Sequence, residues 1–279
     1  MRQFGLIGYP LSHSFSQGYF TEKFLHENEK GLQYTNFPIA SINDFDDLWL
    51  KQANLQGLNI TIPYKKLVIP FLQHTTSVVK KINACNCIRK YNNELYGYNT
   101  DVIGFEKSLA PFLKPHHTHA LILGTGGAAV AVEWVLQKLN INYLLVSRAN
   151  AISDSSDVDN VISYDALTID LISQHTLIIN TSPLGMYPNV DELPSLPYEA
   201  ITVQHHLYDL IYNPAETLFM KKGLAQGASV QNGLAMLHIQ AEESWRIWNT
   251  PTPPLENGNE FTLLMDCKNE KSWVTAFCR

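Results

Sequence analysis

Cysteine is scarce in this 279-residue chain, with thiols only at Cys85, Cys87, Cys267 and Cys278. One residue separates the first two, which fits neither a zinc knuckle nor the CxxC of a redox pair, so all four read as reduced thiols. Cys85 and Cys87 read as strand residues. Long apolar runs are missing as well: no stretch approaches the roughly 18 residues of a membrane-spanning helix. The opening "MRQFGLIGYP" meets Gly and Pro before an apolar core of signal-peptide length can form. A cytoplasmic protein is the expectation. An excess of positive charge is also lacking, since 20 Lys and Arg face 26 Asp and Glu for a formal net charge of -6. That balance excludes an extended basic surface, so the expected partners are small molecules, with no nucleic acid and no membrane. A small anion needs only one local cation.

What is present is apolar material, 45% of residues against 16% charged, enough for two ordinary domains or one large one. Strand-like runs "FGLIGY", "LQYTNFPIA", "GLNITIP", "NACNCIRK" and "LYGYN" alternate with helical stretches "GYFTEKFLHEN" and "INDFDDLWLKQAN" up to about residue 104. A second series follows, "ALILG", "NYLLVS", "HTLIIN" and "ITVQHHLYDL". Such alternation predicts an α/β protein of two domains. The segment "LAPFLKPHHTH" places the boundary between about residues 104 and 119. His116, His117 and His119 lie there without nearby Cys or carboxylates and read as a solvated connection; no metal site is expected. In "NGLAMLHIQAEESWRIW", Leu234, Leu237, Ala241, Trp245 and Trp248 recur at helical spacing and predict an amphipathic helix.

In "ALILGTGGAAVAVEWVLQKL", Gly124, Gly126 and Gly127 stand between an apolar run and a helical pattern. Glycine lets the backbone turn and approach a ligand closely, and the helix N-terminus then faces a phosphate. The strand-turn-helix context, with a further strand behind it, predicts a dinucleotide site in a Rossmann-like domain. At the end of that next strand, "NYLLVSRAN", an acid would bind a ribose 2'-hydroxyl, but Ser147 and Arg148 stand there instead. A guanidinium suits a 2'-phosphate, so NADP(H) is preferred to NAD.

The octapeptide "NITIPYKK" alternates Asn59 and Thr61 with Ile60 and Ile62. This predicts a strand with its apolar face in a core and its polar face on solvent or on a pocket. Pro63 ends the run and Lys65 follows it, while Asp101 closes the polar cluster "GYNTD" at another strand end. An amine and a carboxylate at two strand ends can meet across one cleft, where an enzyme that oxidises an alcohol must move the hydroxyl proton. Taken singly, Lys65 is an ordinary solvated lysine, and Asn99, Thr100 or Asp101 caps a helix beginning near Val102. Ser12, Ser14 and Ser16 of "YPLSHSFSQGYF" likewise stand at a helix start, where capping and carboxylate binding are both open.

Taken in order, "HSFS", "NITIPYKK", "ACN", "NTD", "GTGGAA", "SRA", "NTSPLGM", "YDLIYNPAETLF" and "NGLAMLHIQA" make the chain resemble the shikimate dehydrogenase family from about residue 4 to 248. The resemblance implies an N-terminal α/β substrate domain with a mainly parallel sheet, residues 1–104 joined by a C-terminal helix in 236–279. It also implies an NADP-binding Rossmann-like domain over 105–235. The implied reaction is NADPH-dependent reduction of 3-dehydroshikimate to shikimate, in aromatic amino-acid biosynthesis, by a monomer or homodimer. Lys65 would be the catalytic acid/base beside Asp101. Ser14 and Ser16, helped by Tyr212, would hold the substrate carboxylate. Thr61, Asn86, Asp101 and Gln240 would bind the ring hydroxyls, with Asn59 on the same strand face. Gly124, Gly126, Gly127 and Ala128 would meet the pyrophosphate, and Ser147 and Arg148 the 2'-phosphate. Thr181, Ser182, Met186, Ile211 and Gly233 would lie near the ribose or nicotinamide.

The chain departs from the family after Arg148, where Ala149, Asn150, Ala151 and Ile152 replace the usual Thr and a further basic residue. Residues from about 250 onward match nothing in the family pattern. Two rival readings are a quinate or dual quinate/shikimate dehydrogenase using NAD, and a non-catalytic sensor of a shikimate-like ligand or nucleotide. The first is disfavoured because no acid stands near position 148 and both carboxylate-binding serines are present; the second, because Lys65 and Asp101 are intact.

Overall fold

The computed structural model describes residues 1–11, 14–27, 30–148 and 160–254. The first half of the chain builds a six-stranded sheet from β1 (Arg2–Gly8), β2 (Leu32–Pro38), β3 (Leu55–Ile60), β4 (His74–Thr75), β5 (Cys87–Tyr91) and β6 (Glu94–Tyr98), in the order β2-β1-β3-β5-β6-β4. β1 pairs parallel with β2 and β3, and β4 with β6, while β5 runs antiparallel to β3 and β6. Connections run through α1 (Phe15–His26), α2 (Phe45–Lys51), α3 (Tyr64–Leu67) and α4 (Ser77–Ile82).

The second sheet comprises β7 (His119–Leu123), β8 (Asn142–Ser147), β9 (Val161–Ser163), β10 (Leu177–Asn180), β11 (His206–Asp209) and β12 (Ser229–Gln231), in the order β12-β11-β10-β7-β8-β9. Every pairing is parallel. Counted from β7 this is the doubly wound 3-2-1-4-5-6 order, whose direction reverses between β7 and β10 and opens a crevice at their carboxyl ends. Ala120 to Leu123 and Leu177 to Ile179 are fully buried, as continuous apolar strands covered on both faces must be. The connecting helices are α6 (Ala129–Lys138), α7 (Ile169–Gln174) and α8 (Leu218–Ala225).

Two helices join the sheets. α5 (Asp101–Leu109) packs against α9 (Leu234–Asn249), and they approach closely at Gly104, where a Cβ would stand 2.7 Å from the Met236 carbonyl. Met236 shares a core with Phe105, Ile122 and Tyr208, whereas Ala241, Ile247 and Trp248 share another with Phe4, Phe20 and Tyr34. Trp248 stacks on Phe4 and donates its Nε1–H to the Ile88 carbonyl at 2.9 Å. α9 therefore starts in the core of the second sheet and ends in that of the first.

Several local features differ from the sequence pattern. β3 stops at Ile60; Thr61 still donates its N–H to the Ile7 carbonyl at 2.9 Å, but Ile62 is 73% exposed instead of in the core. The chain turns there into α3, and Tyr64, 3% exposed, takes the core position that alternation assigned to Ile62. Cys87 opens β5, but Cys85 precedes the strand; burial pushes both thiols up, that of Cys85 to about 12. His117 is buried, not solvated, because its Nδ1 accepts the Lys114 N–H at 3.1 Å and its Nε2 lies 3.2 Å from the Gln204 carbonyl. Among the described residues no group of three His, Cys, Asp or Glu could hold a metal ion, and no helix is long and apolar enough to cross a membrane. The C-terminal helix begins at Leu234, and residues 149–159 and 255–279 lie outside the described residues.

Candidate active site

Lys65 leaves the short helix α3 from a backbone held on two sides. Its carbonyl accepts the Cys85 N–H at 2.7 Å, and the neighbouring Tyr64 hydroxyl donates to the Ile39 carbonyl at 2.6 Å. Asp101 is the first residue of α5, yet it does not cap that helix. Asn99 does so: its Oδ1 accepts the Val102 N–H at 3.2 Å, and its Nδ2 donates to the Ala84 carbonyl at 3.0 Å. The Asp101 carboxylate is left to face Lys65, whose Nζ donates to Oδ2 at 2.7 Å. The side chains are 24% and 16% exposed, so the pair is partly desolvated, with a stronger attraction than a surface ion pair, yet reachable by a ligand.

Behind this pair runs a buried polar network. Asn86 Oδ1 accepts the Thr100 N–H at 2.6 Å and its Nδ2 donates to Thr100 Oγ1 at 3.0 Å. Thr100 Oγ1 also lies 3.4 Å from Gln240 Oε1 and 3.3 Å from Ser244 Oγ, on α9. Asn59 Nδ2 donates to Ser244 Oγ at 2.9 Å, and Asn59 Oδ1 accepts the Tyr34 hydroxyl at 2.9 Å. Asn59 is 5% exposed and its amide is engaged inside the protein, so it backs the polar face instead of presenting a free group to the cleft. Burial holds the Tyr34 phenol well above its ordinary pKa, with Ser16 acting on it in the opposite direction. Thr61, half-buried just beyond β3, packs against Gly8, where a Cβ would stand 2.4 Å from its Cγ2.

Ser14 and Ser16 sit at the start of α1. Ser14 occupies the N-cap position but makes no capping bond; its Oγ is buried and has no partner among the described residues. A buried hydroxyl without a partner is costly in an apolar setting and is suited to a bound carboxylate. Between the two serines, Phe15 meets Tyr212, from the loop after β11, with centroids 6.0 Å apart, and His238 of α9 at 5.2 Å. One turn along, the Tyr19 hydroxyl donates to Glu242, and Lys23 bridges Glu27 at 2.7 Å and Glu242 at 3.0 Å. These contacts hold α1, which carries the serines, against α9, which carries Gln240.

At the switch point, Gly124 has φ +112°, and a Cβ there would stand 3.0 Å from Thr181 Oγ1, so the turn leaving β7 and the one leaving β10 touch. Gly126 and Gly127 are exposed and a Cβ on either would meet nothing within 4 Å, which leaves open space for a ligand. Ala128 holds the N-cap position of α6 with no side-chain cap, and no acid stands in the first turn, so the helix N–H groups are available to a phosphate. These features fit a dinucleotide. Ser147 is buried as the last residue of β8, whereas Arg148 is exposed directly after it, and burial raises the Tyr164 phenol while the Arg148 charge lowers it. Thr181 donates to the Leu123 carbonyl at 3.0 Å, and Ser182 Oγ to Asn180 Oδ1 at 2.6 Å. Met186 is 48% exposed, Ile211 is buried, and Gly233 donates its N–H to the Ile211 carbonyl at 3.1 Å.

Sequence reasoning missed Tyr34, Ser244, Asn180 and Asp209, all buried and all bonded to the residues just described. Asn180 did carry a signal: it is a lone polar residue ending an apolar strand run.

The chain is similar to known proteins over most of its length. The family model for the shikimate dehydrogenase substrate binding domain matches residues 6–88. The shikimate dehydrogenase (NADP(+)) of Desulforamulus reducens is 34% identical, covering 90% of this chain and 91% of its own. Among solved structures, a chorismate mutase/shikimate 5-dehydrogenase fusion protein from Clostridium acetobutylicum is 34% identical with TM-score 0.77, covering 89% of this chain and 91% of the other. The shikimate 5-dehydrogenase of Thermus thermophilus, solved with NADP(H) and shikimate, is 25% identical with TM-score 0.78, covering 91% and 95%.

Proposed function

The chain belongs to the shikimate dehydrogenase family, and we propose that it reversibly reduces 3-dehydroshikimate to shikimate with NADPH, Lys65 acting as acid/base beside Asp101. The observation that supports this reading is the 2.7 Å contact between the Lys65 amine and the Asp101 carboxylate, free of any capping duty. In ketone reduction the ammonium donates a proton to the developing alkoxide, and in alcohol oxidation the neutral amine takes it back. Bound NADP(H) supplies or accepts the hydride. Asp101 keeps the amine oriented through the 2.7 Å hydrogen bond.

Ser14 and Ser16, with Tyr212, hold the substrate carboxylate in this reading, and Thr61, Asn86, Asp101 and Gln240 take its ring hydroxyls. Asn59 acts from behind, through Tyr34 and Ser244. Gly124, Gly126, Gly127 and Ala128 receive the pyrophosphate, Arg148 the 2'-phosphate with Ser147 at the strand end, and Thr181, Ser182, Met186, Ile211 and Gly233 the ribose and nicotinamide. The two sheets support a division into a substrate domain of 1–104, completed by the C-terminal helix in 236–279, and a cofactor domain of 105–235. The reading extends to a cytoplasmic enzyme, monomeric or dimeric.

The test is a spectrophotometric assay of NADP+ reduction with shikimate, then with quinate. Turnover with shikimate is expected; faster turnover with quinate and NAD makes the protein a quinate dehydrogenase, and no absorbance change with either substrate overturns both.

A further inference from the structure

Asp209 ends β11 fully buried, and its ladder partner is Asn180, which ends β10. Three donors from three separate segments converge on this one carboxylate. Oδ1 accepts Asn180 Nδ2 and the Ile211 N–H, both at 3.1 Å, and Oδ2 accepts the Thr217 hydroxyl at 2.6 Å. None of these partners is cationic, and burial pushes the carboxyl up to about 6. A carboxylate kept at such a cost, where apolar strand residues surround it, is not explained by packing.

Two of the three bonds continue towards the crevice, and the third anchors a helix. Asn180 Oδ1 accepts both the N–H and the hydroxyl of Ser182, at 3.1 and 2.6 Å. The Ile211 carbonyl accepts the Gly233 N–H at the start of α9. Thr217 Oγ1 caps α8 by accepting the Met220 N–H at 3.4 Å. We propose that Asp209 is a positioning residue that sets the spacing of two loops, one carrying Thr181 and Ser182 and the other Ile211 and Tyr212. The role rests on the reading that these loops flank the ribose and nicotinamide of NADP(H). An amide at position 209 keeps the Oδ1 acceptor but replaces the charge-assisted bond from the Thr217 hydroxyl with a weaker neutral one in which the amide N–H donates to that hydroxyl, while valine at 217 removes the tie outright and leaves the loops connected through the others.

Steady-state kinetics of the full-length wild type, Asp209→Asn, Thr217→Val and Thr217→Ser test it, with circular dichroism and the thermal midpoint followed in parallel. KM for NADP+ is expected to rise about tenfold in Asp209→Asn and in Thr217→Val with kcat changed less than about threefold, while Thr217→Ser keeps the wild-type KM. If Asp209→Asn does not fold, the Val and Ser variants of Thr217 decide by the same criterion. An unchanged KM in folded variants beside an active wild type overturns the role, as does a loss of kcat and thermal midpoint with KM constant. An inactive wild type overturns the reading beneath it, and the role with it.

Discussion

Lys65 and Asp101, 36 residues apart in the chain, meet at 2.7 Å, one delivered by a short helix after β3 and the other by the first residue of α5. Two elements must keep their registry for that contact to exist. The Cys85 N–H bond to the Lys65 carbonyl and the Asn99 bond to the Ala84 carbonyl provide it, since both tie to the same stretch between α4 and β5.

If the pair acts as a unit, its variants will not be additive. Lys65→Ala is expected to lower kcat about a thousandfold with little change in KM, and Asp101→Asn about a hundredfold or more. The double variant should be no slower than about the worse single one. Steady-state rates of the four proteins check this, and losses that multiply show two independent contributions.

The buried network predicts a different phenotype for Tyr34→Phe. Removing the hydroxyl leaves Asn59 Oδ1 without its donor, while the stacking of ring 34 on Phe20 persists. An unpaired buried acceptor costs about 1–3 kcal/mol, so the thermal midpoint should fall. KM for shikimate should rise several-fold and KM for NADP+ should stay, because the network touches only the first sheet, α5 and α9. Equal effects on both constants would contradict this.

How far the sequence reached is clearest around Ile62. Alternation of period two named the strand, its polar face and the lysine beyond it, but it assigned Ile62 to the core, where it is 73% exposed. Periodicity has no means of marking where a strand yields to a turn, and Tyr64 supplies the core contact instead. The cofactor half was more legible, because a parallel strand buried on both faces is written as an apolar run and its glycine turn as punctuation. The buried polar residues were not legible for a common reason: Tyr34, Ser244 and Asp209 matter through partners 25 to 185 residues away or on a neighbouring strand, and single-chain spacing carries no such pairing.

Cofactor choice depends on Arg148, the exposed cation directly after β8. One hydrogen bond from a guanidinium to a phosphate contributes about 1.5–3 kcal/mol, so Arg148→Gln should raise KM for NADP+ about 10- to 100-fold. KM for NAD should change little. Parallel titration of both dinucleotides measures the ratio, and an unchanged ratio removes Arg148 from 2'-phosphate recognition.

Acid should destabilise the second sheet through His206. Its ring is buried, stacked on Phe112, with Nδ1 2.9 Å from the Ser229 hydroxyl; burial depresses its pKa from 6.5 to about 4, and the nearby His117 and Lys114 charges act in the same direction. Between pH 6.5 and about 4 the unfolded chain takes up a proton there that the folded one refuses, so stability falls as pH falls across that window, by up to about 3 kcal/mol. Asp209 works in the opposite sense. Its folded pKa is raised from 3.8 to about 6, so across that range the folded state holds the extra proton and acidification adds stability. The two nearly share a window, and wild-type stability should therefore change less between pH 6.5 and 4 than either group alone dictates. His206→Phe removes only the destabilising member. Its thermal midpoint, measured against the wild type at intervals from pH 7 to 4, should gain steadily on the wild type as pH falls, and parallel curves would show that His206 is not the titrating group.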